Sequence, residues 1–173
     1  MIELVLGGAR SGKSRYAEQQ ATASGLQVVY IATAEAGDEE MRIRIDHHRR
    51  HRPQHWPTVE QPLYLAQAIE EHAGPEHCLL VDCLTLWLCN ALMDKQGQLQ
   101  IEFYRQQCEA LLATLSVCRH RVILVSNEIG CGVVAADALT RRFVDEAGFL
   151  HQQIAQLSDK VVLITAGLPQ ILK

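Results

Sequence analysis

The sequence predicts one α/β domain over residues 1–173, with a mostly parallel central sheet flanked by helices. Three observations carry that expectation. Five short runs, at 2–6, 28–32, 78–81, 121–125 and 160–165, are apolar almost throughout rather than alternating. Strands of that kind are buried on both faces, as in a parallel sheet between layers of helices. Longer stretches of helical periodicity separate the runs, and no repeat, linker or low-complexity segment interrupts them.

The elements follow in order. Run 2–6 leads into Gly7-Gly8 and reads as a strand entering a turn. Residues 13–23 are helix formers, and Gly25 is the stop. After the second strand at 28–32, the charged stretch 37–52 is helical in pattern and must end before Pro53. Pro53, Pro57 and Pro62 exclude regular helix from 53–62, and helix resumes over 63–72. The third strand, 78–81, is closed by Asp82. Residues 84–93 are apolar enough for a buried helix, which ends at the Gly97 turn. A long helix over 101–118 precedes the fourth strand at 121–125. A last helix over 137–157 leads to the fifth strand.

Composition narrows the class. At 48% hydrophobic and 21% charged, the chain is that of a soluble globular protein. Its net charge of −4 leaves a nucleic-acid role dependent on a local basic patch, and none is expected. Six cysteines, at 78, 83, 89, 108, 118 and 131, contain no C-x-x-C pair. They read as free thiols in a reducing cytoplasm. The opening residues are too few before the first glycine turn for a signal peptide, and no apolar run approaches the ~18 residues of a membrane span.

Gly7-Gly8-Ala9-Arg10-Ser11-Gly12-Lys13-Ser14 fits G-x-x-x-x-G-K-[ST] at every position. Glycines at these places let successive N–H groups turn toward phosphate oxygens, and the helix that follows adds its positive end. Lys13 supplies an ammonium for the outer phosphates, and the Ser14 hydroxyl is placed to hold Mg²⁺. Asp82, closing an apolar strand, is the expected acidic partner for that ion. A Ras-type switch is excluded. It would need Asp-x-x-Gly where Asp82-Cys83-Leu84-Thr85 stands, and Asn-Lys-x-Asp where Asn127-Glu128-Ile129-Gly130 stands.

Four arginines and three histidines crowd into 44–52. Such crowding costs helix stability by mutual repulsion. At about 100° per residue, Met41, Ile45 and His48 share one stripe, and Arg44, His47 and His51 share another. Three readings stand open here. The run is a solvated basic face; or His47 and His51, at i and i+4, ligate a metal; or an imidazole attacks a nucleotide α-phosphate while arginine forks balance the charge. Neutral imidazole is available near pH 7.

Several motifs together carry a resemblance. They are 7–14, Tyr30-Ile31-Ala32-Thr33-Ala34, Arg44-Ile45-Asp46-His47-His48-Arg49, Arg52-Pro53-x-His55-Trp56, Asp82, and 126–134. The chain thus resembles, nearly end to end, the bifunctional adenosylcobinamide kinase / adenosylcobinamide-phosphate guanylyltransferase family of cobalamin biosynthesis. The resemblance implies a RecA-like fold and a homo-oligomer, commonly a trimer. It implies phosphorylation of adenosylcobinamide by ATP or GTP, then transfer of GMP from GTP through a guanylylated histidine to the cobinamide phosphate. That histidine falls on His47, which the outward stripe contains. Nucleotide contacts fall on residues 7–14, on Ala32, Thr33 and Ala34, on His48, Arg49, Arg50 and His51, on Glu60 and on Asp82.

Two rival functions use the same loop. Another small-molecule P-loop kinase would not need the histidine–arginine segment. A nucleotide-gated module would use that segment to hold RNA or a protein. Asn127 and Glu128 either orient the acceptor or cap the next element, and Trp56 and Trp87 are expected in the core.

Overall fold

The computed structural model describes residues 1–37 and 39–173; at 40, 41, 44, 47, 48 and 51 it describes the helical backbone without the side chain. The elements are β1 (Ile2–Gly7), α1 (Lys13–Ala23), β2 (Gln27–Ala32), α2 (Glu39–His51), β3 (Thr58–Glu60), α3 (Leu65–His72) and β4 (His77–Asp82). They continue as α4 (Leu84–Leu92), α5 (Ile101–Val117), β5 (Arg121–Asn127), α6 (Ala138–Leu157), β6 (Lys160–Thr165) and β7 (Leu168–Ile171). All the strands join one sheet in the order β3-β2-β4-β5-β1-β6-β7. Every pairing is parallel except β6 with β7. The fold is the expected α/β arrangement, a mostly parallel central sheet flanked by helices.

The two outermost strands exceed the five expected. β3 lies between Pro57 and Pro62, and β7 contains Pro169. Proline is tolerated at a sheet margin because one side of such a strand needs no ladder donor. β3 is three residues long and pairs only with β2, so apolar periodicity had nothing to register.

The strands bury both faces. Leu4, Leu6, Val29, Ile31, Leu79, Val81, Val122 and Leu124 pack with Leu65, Trp87, Leu111, Leu150 and Ile154, on the face covered by α3–α6. Val5, Val28, Tyr30, Leu80, Ile123 and Val125 meet Ala17 and Ala21 of α1, with Trp56 beside them. Both tryptophans are therefore core residues, and Trp87 Nε1 donates to the Leu63 carbonyl at 2.8 Å. Two alanines on α1 let that helix lie close on the sheet, which sets the height of the loop before it.

One charge interrupts the apolar pattern of β1. Glu3 is wholly buried and accepts from Lys160 Nζ at 3.0 Å, with Arg121 on its other oxygen and the Tyr16 hydroxyl 3.4 Å away. A buried carboxylate persists only when paired and hydrogen-bonded in this way. The cluster ties α1, β1, β5 and β6 together beneath the sheet, at the end opposite the glycine turn. The loops after β1, β2, β4 and β5 all open at the carboxyl ends of their strands. Ligands of open parallel sheets bind along that margin.

Candidate nucleotide-binding cleft

The glycine loop is held from two sides. The Glu128 amide donates to the Gly7 carbonyl at 3.0 Å, and the Gly167 amide donates to the Ser11 carbonyl at 2.8 Å. Gly167 belongs to the turn of the β6–β7 hairpin, so the last strand buttresses the loop. A Cβ on Gly7 would stand 2.8 Å from the Ile164 carbonyl oxygen, too close for any other residue. Gly12 has φ +95° and lies where a side chain would press on Gly167.

Gly12 is the N-cap of α1, and having no side chain it makes no cap bond to the first-turn amides of that helix. Those donors face outward for an anion, with the helix dipole behind them. Ser11 Oγ is buried and has no hydrogen-bond partner among the described residues. Lys13 Nζ reaches back to the Gly8 carbonyl at 3.2 Å. Ala9 and Arg10 lie exposed on the crest of the loop.

Lys13 and Ser14 form one wall of a cleft of about 940 Å³. Its floor is made by the strand ends, with Ala32, Ala34, Asp82 and Asn127 on it. Arg42, Ile45, Asp46 and Arg49 of α2 form the facing wall. Arg52, Glu60 and Lys95 complete the rim. Cations from four segments thus converge on a space the size of a nucleotide.

Asp82 is positioned by Tyr30, whose hydroxyl donates to its Oδ2 at 3.1 Å. Burial and the adjacent carboxylate push the Tyr30 phenol well above its ordinary range, so it stays a donor. The Arg52 guanidinium lies over the Tyr30 ring, 4.0 Å from its centre, and donates to Thr58 Oγ1 at 2.8 Å. Arg49 pairs with Glu60, so α2 and β3 are joined at the rim by two residues expected to contact nucleotide. Next to Asp82, burial raises the Cys83 thiol to about 11, which keeps it protonated and inert.

Thr33 lies beneath the cleft rather than on it. It is fully buried, and its hydroxyl donates to the Cys83 carbonyl at 2.7 Å and accepts from the Cys83 amide at 2.8 Å. The Thr33 clasp holds the ends of β2 and β4 side by side, while Ala32 and Ala34 line the cleft. Arg50 is exposed and lies outside the cleft lining. His47, His48 and His51 belong to α2, but their side chains lie outside the described residues, as do those of Met41 and Arg44. Of the stripe of Met41, Ile45 and His48, only Ile45 has a described side chain, and it lines the cleft. Among the described residues no cluster of His, Cys, Asp and Glu can hold a metal unaided.

Sequence reasoning gave no site role to Tyr30, Arg42, Asp46, Arg52 or Lys95, although Tyr30, Asp46 and Arg52 stand in the motifs that carry the resemblance. Arg42, Asp46 and Arg49 follow i, i+4, i+7, a spacing that was legible; Lys95 and Tyr30 carry no such signal.

Behind Asn127 runs a buried polar chain. The Asn127 amide donates to Thr85 Oγ1 at 2.7 Å, Thr85 meets Ser126 Oγ at 3.1 Å, and Ser126 meets His151 Nε2 at 2.7 Å. Glu128 Oε1 accepts from the Gly130 amide at 2.7 Å and its other oxygen lies 3.9 Å from His151 Nδ1. Glu128 is thus a cap of its own loop, and Asn127 faces the cleft. Burial lowers the His151 pKa, against a smaller opposing pull from Glu128. The unfolded chain therefore takes up this proton first, so stability falls as pH drops below about 6.5 toward the depressed native value. The thermal midpoint is expected to fall between pH 7 and pH 5, and to fall less in His151→Gln, as followed by circular dichroism.

Residues 3–172 match the family described as cobinamide kinase / cobinamide phosphate guanyltransferase. The chain is 55% identical over 173 residues to the bifunctional adenosylcobalamin biosynthesis protein CobP of Pseudomonas aeruginosa PAO1, covering 100% of this chain and 98% of that one. It is 40% identical over 177 residues to the CobU protein of Escherichia coli K12, covering 97% of each. Among solved structures, the flagellar accessory protein FlaH of Methanocaldococcus jannaschii superposes with a TM-score of 0.53 at 10% identity. That match covers 99% of this chain and 77% of FlaH, and it is a likeness of fold alone.

Proposed function

The chain belongs to the cobinamide kinase / cobinamide phosphate guanyltransferase family, and we propose that each reaction of this bifunctional kinase and guanylyltransferase uses a triphosphate seated in the same place, over residues 7–14. The observation that carries this reading is that one cleft is walled by the phosphate loop and by α2, the helix that bears His47.

In the kinase reaction the amides of residues 7–14 and the Lys13 ammonium gather the β- and γ-phosphates. The acceptor's alcohol oxygen attacks the γ-phosphorus, its proton passes to solvent, and the nucleoside diphosphate leaves. Either ATP or GTP serves as donor. In the transferase reaction a ring nitrogen of His47 attacks the α-phosphorus of GTP. A P–N bond forms, the bond to the bridging oxygen breaks, and pyrophosphate departs. A phosphate oxygen of the cobinamide phosphate then displaces His47, giving adenosylcobinamide-GDP. Positioning and charge neutralisation do most of the work in both. His48, Arg49, Arg50 and His51 are read as contacts to the nucleotide along α2, and Glu60 as a contact from β3.

Ser14 and Asp82 offer hard oxygens on the same cleft, which suits Mg²⁺ completed by the substrate's phosphates. That ion supplies neutralisation of the phosphate charge when bound. A homo-oligomer belongs to the same reading, supported by the exposed apolar residues Leu168 and Ile171 on the margin strand β7. Six unpaired cysteines favour a cytoplasmic setting, and no helix among the described residues is long and apolar enough to cross a membrane.

Treatment with GTP alone is expected to add the mass of one GMP to the intact chain. The adduct maps to a peptide spanning 44–52 and is lost in acid, as P–N bonds are. A mass that never appears, or that maps elsewhere, removes the histidine route.

A further inference from the structure

A cobinamide acceptor is a macrocycle with an apolar rim and many amide arms, far larger than the space that a nucleotide leaves in the cleft. Only the arm bearing the reacting alcohol can enter. The ring must rest outside, on whatever surface borders the phosphate loop. The loop over 128–137 borders it, since its root is the Asn127 of the cleft floor and the Glu128 amide bonded to Gly7.

This loop carries the two most exposed large apolar side chains among the described residues, Val133 at 99% and Val134 at 79%. Their exposure does not come from a loose tether. At the root, Asn127 is tied to Thr85 and Glu128 caps Gly130. At the far end, Arg141 Nη1 donates to the carbonyls of Ala135 and Ala136 at 2.9 and 2.6 Å, and Asp137 caps α6 by accepting from the Thr140 amide at 2.7 Å. An adjacent valine pair held in water by a pinned loop marks a surface that something apolar covers. We propose that Val133 and Val134 form the shelf on which the corrinoid ring rests while its side arm reaches the phosphate loop.

The test is the double variant Val133→Thr/Val134→Thr, which keeps the branched shape and removes the apolar character. Kinase KM for adenosylcobinamide is expected to rise about tenfold or more, from two half-covered methyl surfaces lost. GMP-adduct formation with GTP alone, which needs no corrinoid, is expected to stay at the wild-type rate. Val133→Leu/Val134→Leu is expected to restore KM to near the wild-type value. An unchanged KM in the threonine variant overturns the proposal. So does an equal loss of GMP-adduct formation, which would make the loop a nucleotide element. A fall in particle mass by light scattering would assign the valines to a contact between copies of this chain and overturn it as well.

Discussion

Alanine at position 47 is expected to abolish covalent GMP labelling and the guanylylated product, while phosphorylation of adenosylcobinamide continues. The difference follows from what each step asks of the helix. Attack at the γ-phosphorus is made by the substrate's own oxygen, so the kinase needs grip and neutralisation, which residues 7–14 provide. On the proposed route attack at the α-phosphorus is made by a nucleophile from the protein, and removing such a group costs on the order of 10⁴ to 10⁶ in rate. Alanine is the best helix former, so α2 is not unwound by the change itself. The measurement is paired: mass addition from GTP, and phosphate transfer to adenosylcobinamide in the same preparation. A folded variant that has lost both, or kept both, sinks the division of labour between the two nucleophiles.

The second large effect is expected at Lys13. Lys13→Ala removes the ammonium that meets the outer phosphates, and each reaction passes through more negative charge there than in its ground state. Losses of about 10² to 10³ in kcat/KM are expected for both activities, the scale of removing one charged stabiliser from a transition state. The fold is expected to survive, since the backbone bonds from Glu128 and Gly167 hold the loop independently of the lysine. Assaying the two half-reactions separately decides the matter. If only one suffers, the reactions do not share a cradle.

Most of this was legible because chain chemistry and chain order coincide. The phosphate loop announces itself through glycines needed at Gly7 and Gly12 for reasons of space and φ, and local sequence records such needs directly. The parallel sheet announced itself through strands with no polar face. What escaped reading depends on contacts between distant segments. The Gly167 amide supports Ser11 from 156 residues away, through a turn in which Ala166, a residue poorly suited to left-handed backbone, takes φ 52°. Nothing local in the motif around Thr33 shows where its hydroxyl turns. Its neighbour across the sheet, Cys83, claims both its hydrogen bonds. Glu3 reads as an error in an apolar strand until Arg121 and Lys160 arrive from β5 and β6.

The double bracing of residues 7–12 also bears on how one protein runs two chemistries in order. A cradle that keeps its shape holds every triphosphate alike and offers no preference between one phosphorus and another. A rigid cradle leaves timing to what arrives at the mouth. On the mechanism proposed above, cobinamide in place would offer its oxygen to the outermost phosphoryl group, and with the mouth vacant the histidine helix would take the inner one. On that mechanism the supply of acceptor, acting through simple occupancy, would be the schedule by which the enzyme alternates its tasks.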